Sequence, residues 1–156
     1  MFEFALLARR LPCWQCFAIS VTLTIALHAE RLPIQVYTPT DGLAQSTVHR
    51  IHRDRHGFLW FGTSEGLSRY DGYEFVTYRD RSRPTQPRVR AILDTSDGAL
   101  WTGGDSGLCR VNPSTDAAPV YDCASPSSGR ASVQALFEES PGVLLAGADT
   151  GLYRVH

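Results

Sequence analysis

The chain has 156 residues, 43% apolar and 20% charged, which describes one modest globular domain and excludes a disordered chain. A formal net charge of −1 excludes a binder that works by neutralising phosphates, so no nucleic acid is expected as a partner. All fifteen basic residues are arginine, a compositional habit that carries no functional reading.

The N-terminus differs from the rest. Arg9 and Arg10 precede an apolar run from Cys16 to Leu27, followed by Ala29 as a small residue for cleavage. Twelve apolar residues suit the core of an export signal and are too short to span a bilayer. Residues 1–29 are read as a signal peptide, with an uncleaved anchor as the alternative. Either places the remainder of the chain across the membrane, in the periplasm. Cys13 and Cys16 form C-x-x-C in this leader, without the βα setting that tunes a redox thiol.

After the leader, Ile34 to Thr38 reads as an outermost strand, and from Val48 the chain repeats itself. "GFLWFGTSEGLSRYDG" (57–72) returns as "GALWTGGDSGLCRVN" (98–112) and again as "GVLLAGADTGLYRVH" (142–156). Val48, Val89 and Val133 head the copies, 41 and then 44 residues apart. Such a period marks a repeat architecture. Trp60 aligns with Trp101 and Leu145, Gly66 with Gly107 and Gly151, and Arg69 with Arg110 and Arg154. Tyr37 precedes Val48 by the same eleven residues that separate Tyr78 from Val89.

Each copy divides into four short strands. "VHRIHRD" alternates, "FLWFGT" is apolar on both faces, "LSRY" follows the turn at Gly66, and Asp71-Gly72 signals a two-residue hairpin into "YEFVTY". A sheet with one wet face would alternate. A doubly apolar second strand must be covered on both sides, as in four-stranded blades stacked around an axis. The expected fold is therefore all-β, a partial β-propeller: an outer strand 34–38, blades 48–78 and 89–123, and a partial blade 133–156. Trp60 and Trp101 are expected between blades. Rings close from four blades upward, so three visible blades predict an N-terminal fragment whose end faces are bare and apolar.

The stretch from Asp41 to Tyr78 resembles the two-component regulator propeller family, whose repeat runs D-x-x-G-x-L-W-x-G-T-x-x-G-L-x-x-Y. Asp54, Gly57, Leu59, Trp60, Gly62, Thr63, Gly66, Leu67 and Tyr70 fill every place. The second copy keeps Gly98, Trp101 and Gly107 but has Thr95 for the aspartate. The third keeps Gly142 and Gly151 but has Glu139 and Leu145 for the aspartate and tryptophan. The resemblance implies a periplasmic sensor region followed by a membrane span and a histidine kinase or diguanylate cyclase output, sensing a small ligand such as a glycan fragment. The alternatives are a periplasmic interaction scaffold and a non-functional fragment. Further blades or a dimer partner would complete the ring.

No phosphate loop or nucleophile elbow is present, no catalytic residue is named, and no cofactor is expected. His49, His52 and His56 cluster, yet the first two point to opposite faces of one strand and the third sits in a turn, so surface histidines are preferred to a metal site. Asp41, Asp71, Asp97, Asp105 and Asp149 sit at turns, where aspartate bonds its own backbone. Cys109 and Cys123 fall on adjacent strands and are candidates for a disulfide after export.

Overall fold

The computed structural model describes residues 32–79, 87–112, 120–125 and 131–156. The leader, with Cys13 and Cys16, lies outside the described residues. The chain divides into two compact units, Met1–Gln35 and Val36–His156. Of the first, only residues 32–35 are described, and they form no regular element.

The second unit is all-β. A single 3-10 turn, Pro39–Asp41, precedes eleven described strands. The first sheet runs β1 (Val48–Arg53), β2 (Leu59–Thr63), β3 (Gly66–Tyr70) and β4 (Phe75–Tyr78) in sequence order. The second runs β5 (Val89–Asp94), β6 (Leu100–Gly104), β7 (Gly107–Asn112) and β8 (Val120–Ala124). The third holds β9 (Val133–Ser140), β10 (Val143–Ala148) and β11 (Gly151–Val155). Every pairing is antiparallel. β1 packs beside β5, and β5 beside β9, so the first strands of the three sheets lie together and the sheets fan outward from them. That is the radial stacking of propeller blades.

Two aliphatic–aromatic layers hold the fan. Between the first two blades, Trp60, Leu67 and Tyr78 meet Val89, Ile92, Leu100 and Val111, all buried. Between the second and third, Leu108, Val133, Leu144 and Ala146 form the core, with Trp101, Leu93 and Leu136 packed against it. Both tryptophans thus lie between blades. Burying an aliphatic side chain contributes about 2 kcal/mol, so these layers supply most of the blade-to-blade adhesion.

The glycine of the L-W-x-G motif makes close stacking feasible. A Cβ on Gly62 would lie 2.9 Å from Val89 Cγ1, and one on Gly103 would lie 2.6 Å from Val133 Cγ1. The valine heading each blade is a knob, and the glycine on the preceding blade is its notch. The same motif's first glycine serves backbone geometry instead. Gly57, Gly98 and Gly142 adopt φ of 91, 88 and 80°, the left-handed region that the turn between first and second strands requires.

Three expectations need correction. Residues 34–38 form no strand, because a strand needs a hydrogen-bonded neighbour and none of the described strands pairs with this segment. The Asp71-Gly72 hairpin closes as a longer loop, since Tyr70 pairs with Phe75 across four intervening residues. The outer face of the first blade is not bare. Tyr37 packs its ring 5.6 Å from Tyr70 and 5.3 Å from Phe75, and Leu43 and Ala44 are buried. The Ala44 N–H donates to Ser68 Oγ (2.8 Å), and Thr77 Oγ1 donates to the Gly42 carbonyl (2.6 Å).

Candidate ligand-recognition face

The repeat motif itself is a fastening. Asp54 ends the first strand's turn and accepts three hydrogen bonds: from the His56 N–H (2.9 Å), the Phe58 N–H (3.0 Å) and the Trp60 indole N–H (2.7 Å). The carboxylate therefore closes the turn and satisfies a tryptophan that is 2% exposed. Where the motif decays, the chemistry decays with it. The turn at Thr95 closes through its backbone N–H, which donates to the Ala99 carbonyl (2.9 Å), while Asp97 accepts from the Thr95 hydroxyl (2.6 Å) and the Ala99 N–H (3.2 Å). In the third blade Leu145 has no side-chain N–H to satisfy, and Glu139 instead pairs with Arg154 at 2.7 Å. Gly66, Gly107 and Gly151 head the third strands. Tyr70 donates to the Gly72 carbonyl and meets the Tyr37 hydroxyl.

The ends of the inner strands form two rims. At the lower rim, where β1, β5 and β9 end, polar groups bind one blade to the next. The Arg55 N–H donates to Asp94 Oδ2 (3.1 Å), and the Ser96 N–H donates to Glu138 Oε2 (2.8 Å). Arg55 and Ser96 are equivalent positions, as are Asp94 and Glu138, so this is a repeated inter-blade clasp. The Arg55 guanidinium reinforces it on Asp94 and on the Thr95 and Ser96 carbonyls.

The upper rim is formed by the starts of β1, β5 and β9 and the turns after β2, β6 and β10. There the Thr47, Arg88 and Ser132 carbonyls accept from the Ser64, Asp105 and Asp149 N–H groups at 3.2, 3.3 and 3.1 Å. Their side chains are mixed in charge. His49 Nε2 lies 2.8 Å from Ser64 Oγ. Arg90 Nε and Ser132 Oγ both donate to Asp105 Oδ1, at 3.4 and 3.1 Å. Asp149 accepts from the Ser132 N–H at 2.9 Å. Arg88 lies 4.0 Å from Asp105. The side chains of Arg88, Arg90 and Asp105 remain 41%, 33% and 47% exposed, so each keeps donors or acceptors toward solvent.

Asp41, Asp71 and Asp97 bond the backbone or side chains of their own turns. Those bonds to Tyr73, Glu74, Thr95 and Ala99 hold the Asp71 and Asp97 carboxyls below the usual range, led by the Glu74 N–H and the Thr95 hydroxyl respectively. Asp105 and Asp149 differ: they reach the inner strands and, for Asp105, the next blade. Sequence reasoning missed this because it depends on which strands meet. Among the described residues no group of three or more His, Cys, Asp or Glu is arranged to hold a metal ion. His52 lies on the face of β1 shared with Trp60, and burial lowers its pKa. Cys109 and Cys123 are directly opposed on β7 and β8 and joined as a disulfide.

Radial antiparallel blades with a tryptophan-bearing second strand define a β-propeller module. Residues 42–65 match the family model described as Two component regulator propeller. Histidine kinase P4 of Formosa agariphila is 43% identical over 60 residues, 37% of this chain and 4% of that protein. Two solved structures of the extracellular domain of BT4673 from B. thetaiotaomicron, named in one as a hybrid two component system and in the other as a one component system, are each 29% identical. They match with TM-scores of 0.59 and 0.64 over 74% and 83% of this chain. The extracellular domain of BT3049 from the same organism, at 18% identity and a TM-score of 0.61, shares the fold. In its repeats the chain is similar to the two-component regulator propeller family. It spans 16% to 18% of those solved domains and 4% of the curated relative.

Proposed function

We propose that this chain is a sensing module of a transmembrane signalling protein: exported propeller blades that recognise a small ligand and catalyse nothing themselves. The observation that carries the reading is the likeness, at 29% identity over 83% of the chain, to the extracellular domain of a two-component-type signalling protein. A kinase or cyclase output belongs to a separate domain. Among the described residues no helix is long and apolar enough to cross a membrane.

The upper rim is the part suited to recognition. The lower rim's polar groups are engaged in holding blades together, whereas Arg88, Arg90, Asp105 and His49 present donors and acceptors side by side near the axis. Alternating guanidinium and carboxylate groups suit a polyhydroxylated small molecule such as a glycan fragment, which offers both donors and acceptors. A thermal-shift screen of the folded chain against oligosaccharides tests this. A ligand at one hundred times its Kd raises stability by about 2.7 kcal/mol and shifts the melting point by several degrees. A folded chain that no oligosaccharide stabilises would count against the reading.

A further inference from the structure

The second blade separates the two halves of the motif's fastening. In the first blade Asp54 Oδ2 accepts the Trp60 indole N–H at 2.7 Å. In the second, Thr95 stands in the aspartate's place and the carboxylate lies two residues further on, at Asp97. Asp97 Oδ1 takes both of its partners, the Thr95 hydroxyl and the Ala99 N–H. Asp97 Oδ2 and the Trp101 indole N–H are left without a partner among the described residues.

Both residues line one cleft in the seam between the second and third blades, behind the clasp of Ser96 on Glu138. Thr95, Asp97 and Trp101 form one wall and Gly142, Leu144 and Val155 the other, around about 70 Å³. Side-chain replacements open it. In the preceding seam the Arg55 guanidinium reaches over the next blade's turn, 3.8 Å from where a Cβ on Gly98 would sit. Ser96 holds the place of Arg55 in the second blade, and nothing lies within 4 Å of the corresponding point at Gly142.

The two unpaired groups define what fits. An ionised carboxylate only accepts and an indole N–H only donates, so the occupant carries a donor and an acceptor close together. A carboxylate ligand would meet like charge at Asp97, and an ammonium would leave the indole unpaired. An amide offers N–H and C=O at once. Leu144, 4% exposed, and Val155 supply an apolar floor for a methyl group. The space is that of about two waters at roughly 30 Å³ each, which suits an acetamido group. We propose that this cleft binds an acetamido group, its N–H donating to Asp97 Oδ2, its carbonyl accepting from the Trp101 indole and its methyl lying against Leu144 and Val155. The group belongs either to an N-acetylated amino sugar or to a simple N-substituted acetamide. The site is separate from the upper rim and stands whether or not that rim binds a saccharide.

Nuclear magnetic resonance of the full chain tests this, with the indole N–H signals followed during titration with N-acetylglucosamine, glucosamine and N-methylacetamide. The Trp101 signal is the one lost in Trp101→Phe. N-acetylglucosamine is expected to shift it saturably and to leave Trp60, already bonded to Asp54, in place. Matching saturation by N-methylacetamide assigns the acetamide alone, and silence from it assigns the sugar. Thr95→Asp restores the first blade's indole acceptor and is expected to abolish the shift in a chain that stays folded. No saturable shift of Trp101 with either acetamide overturns the proposal. So does an equal response to glucosamine, or binding that is unchanged in Thr95→Asp.

Discussion

Removing the Asp54 carboxylate probes the step from motif to fold. In Asp54→Ala, the His56, Phe58 and Trp60 donors lose their acceptor at 2.9, 3.0 and 2.7 Å. A net hydrogen bond contributes about 1 kcal/mol, and one to a charged acceptor about 1.5–3 kcal/mol. Two of the three donors can regain water, whereas the indole belongs to a side chain that is 2% exposed. The expected loss is therefore about 3–4 kcal/mol, a large share of the 5–15 kcal/mol that stabilises a typical domain. Trp60→Leu, which copies the third blade, costs about 3 kcal/mol through lost contact and cavity, but it also removes the stranded donor. The double variant should thus lose about 1–2 kcal/mol less than the two single losses together. Urea unfolding followed by circular dichroism reads all four corners of the cycle. An Asp54→Ala loss below about 1 kcal/mol, or additivity within about 0.5 kcal/mol, would refute the coupling.

Gly103→Ala drives a Cβ into Val133 and is expected to cost about 2–3 kcal/mol, whereas Gly147→Ala stays within about 0.5 kcal/mol; equal urea midpoints for the two would contradict the notch. His52 occupies a position filled by Leu93 and Phe137 in the other copies, and its buried Nε2 has no hydrogen-bond partner among the described residues. Burial first, with Arg50 adding to it against Asp94 and Asp54, lowers its folded pKa below 6.5. The unfolded ring therefore binds a proton first as pH falls through 6.5, and stability is lost across that window. His52→Leu should flatten this slope, and stability curves of unchanged slope below neutral pH would refute the assignment. Replacing both Cys109 and Cys123 by serine opens a loop with a sequence separation of 14 and should cost about 3 kcal/mol, read by the shift in thermal midpoint; a shift near zero would deny the bridge a stabilising part.

Much of the fold was legible because propeller contacts repeat. Spacing alone set Val48, Val89 and Val133 as blade starts, and the doubly apolar second strand foretold Trp60 and Trp101 between sheets. What escaped depended on partners that sequence does not name. Residues 34–38 have strand composition, yet strand structure requires a neighbour. The clasps of Arg55 on Asp94 and Ser96 on Glu138 join residues 39 and 42 apart, and Ser96 has nothing in its composition to mark it. Asp105 and Asp149 resemble the turn aspartates Asp71 and Asp97 in sequence. Only the meeting of the inner strands turns them outward to the upper rim, so the candidate recognition face was invisible while the scaffold beneath it was not.

That the upper rim recognises a ligand while the rest of the blade is scaffold is tested most directly by calorimetry. The chain and its Arg90→Ala variant would each be titrated with the oligosaccharide that most raises the melting point. Loss of one charged hydrogen bond of about 1.5–3 kcal/mol predicts a ten- to hundredfold weaker Kd in a variant that remains folded. Equal affinity in the two would contradict it.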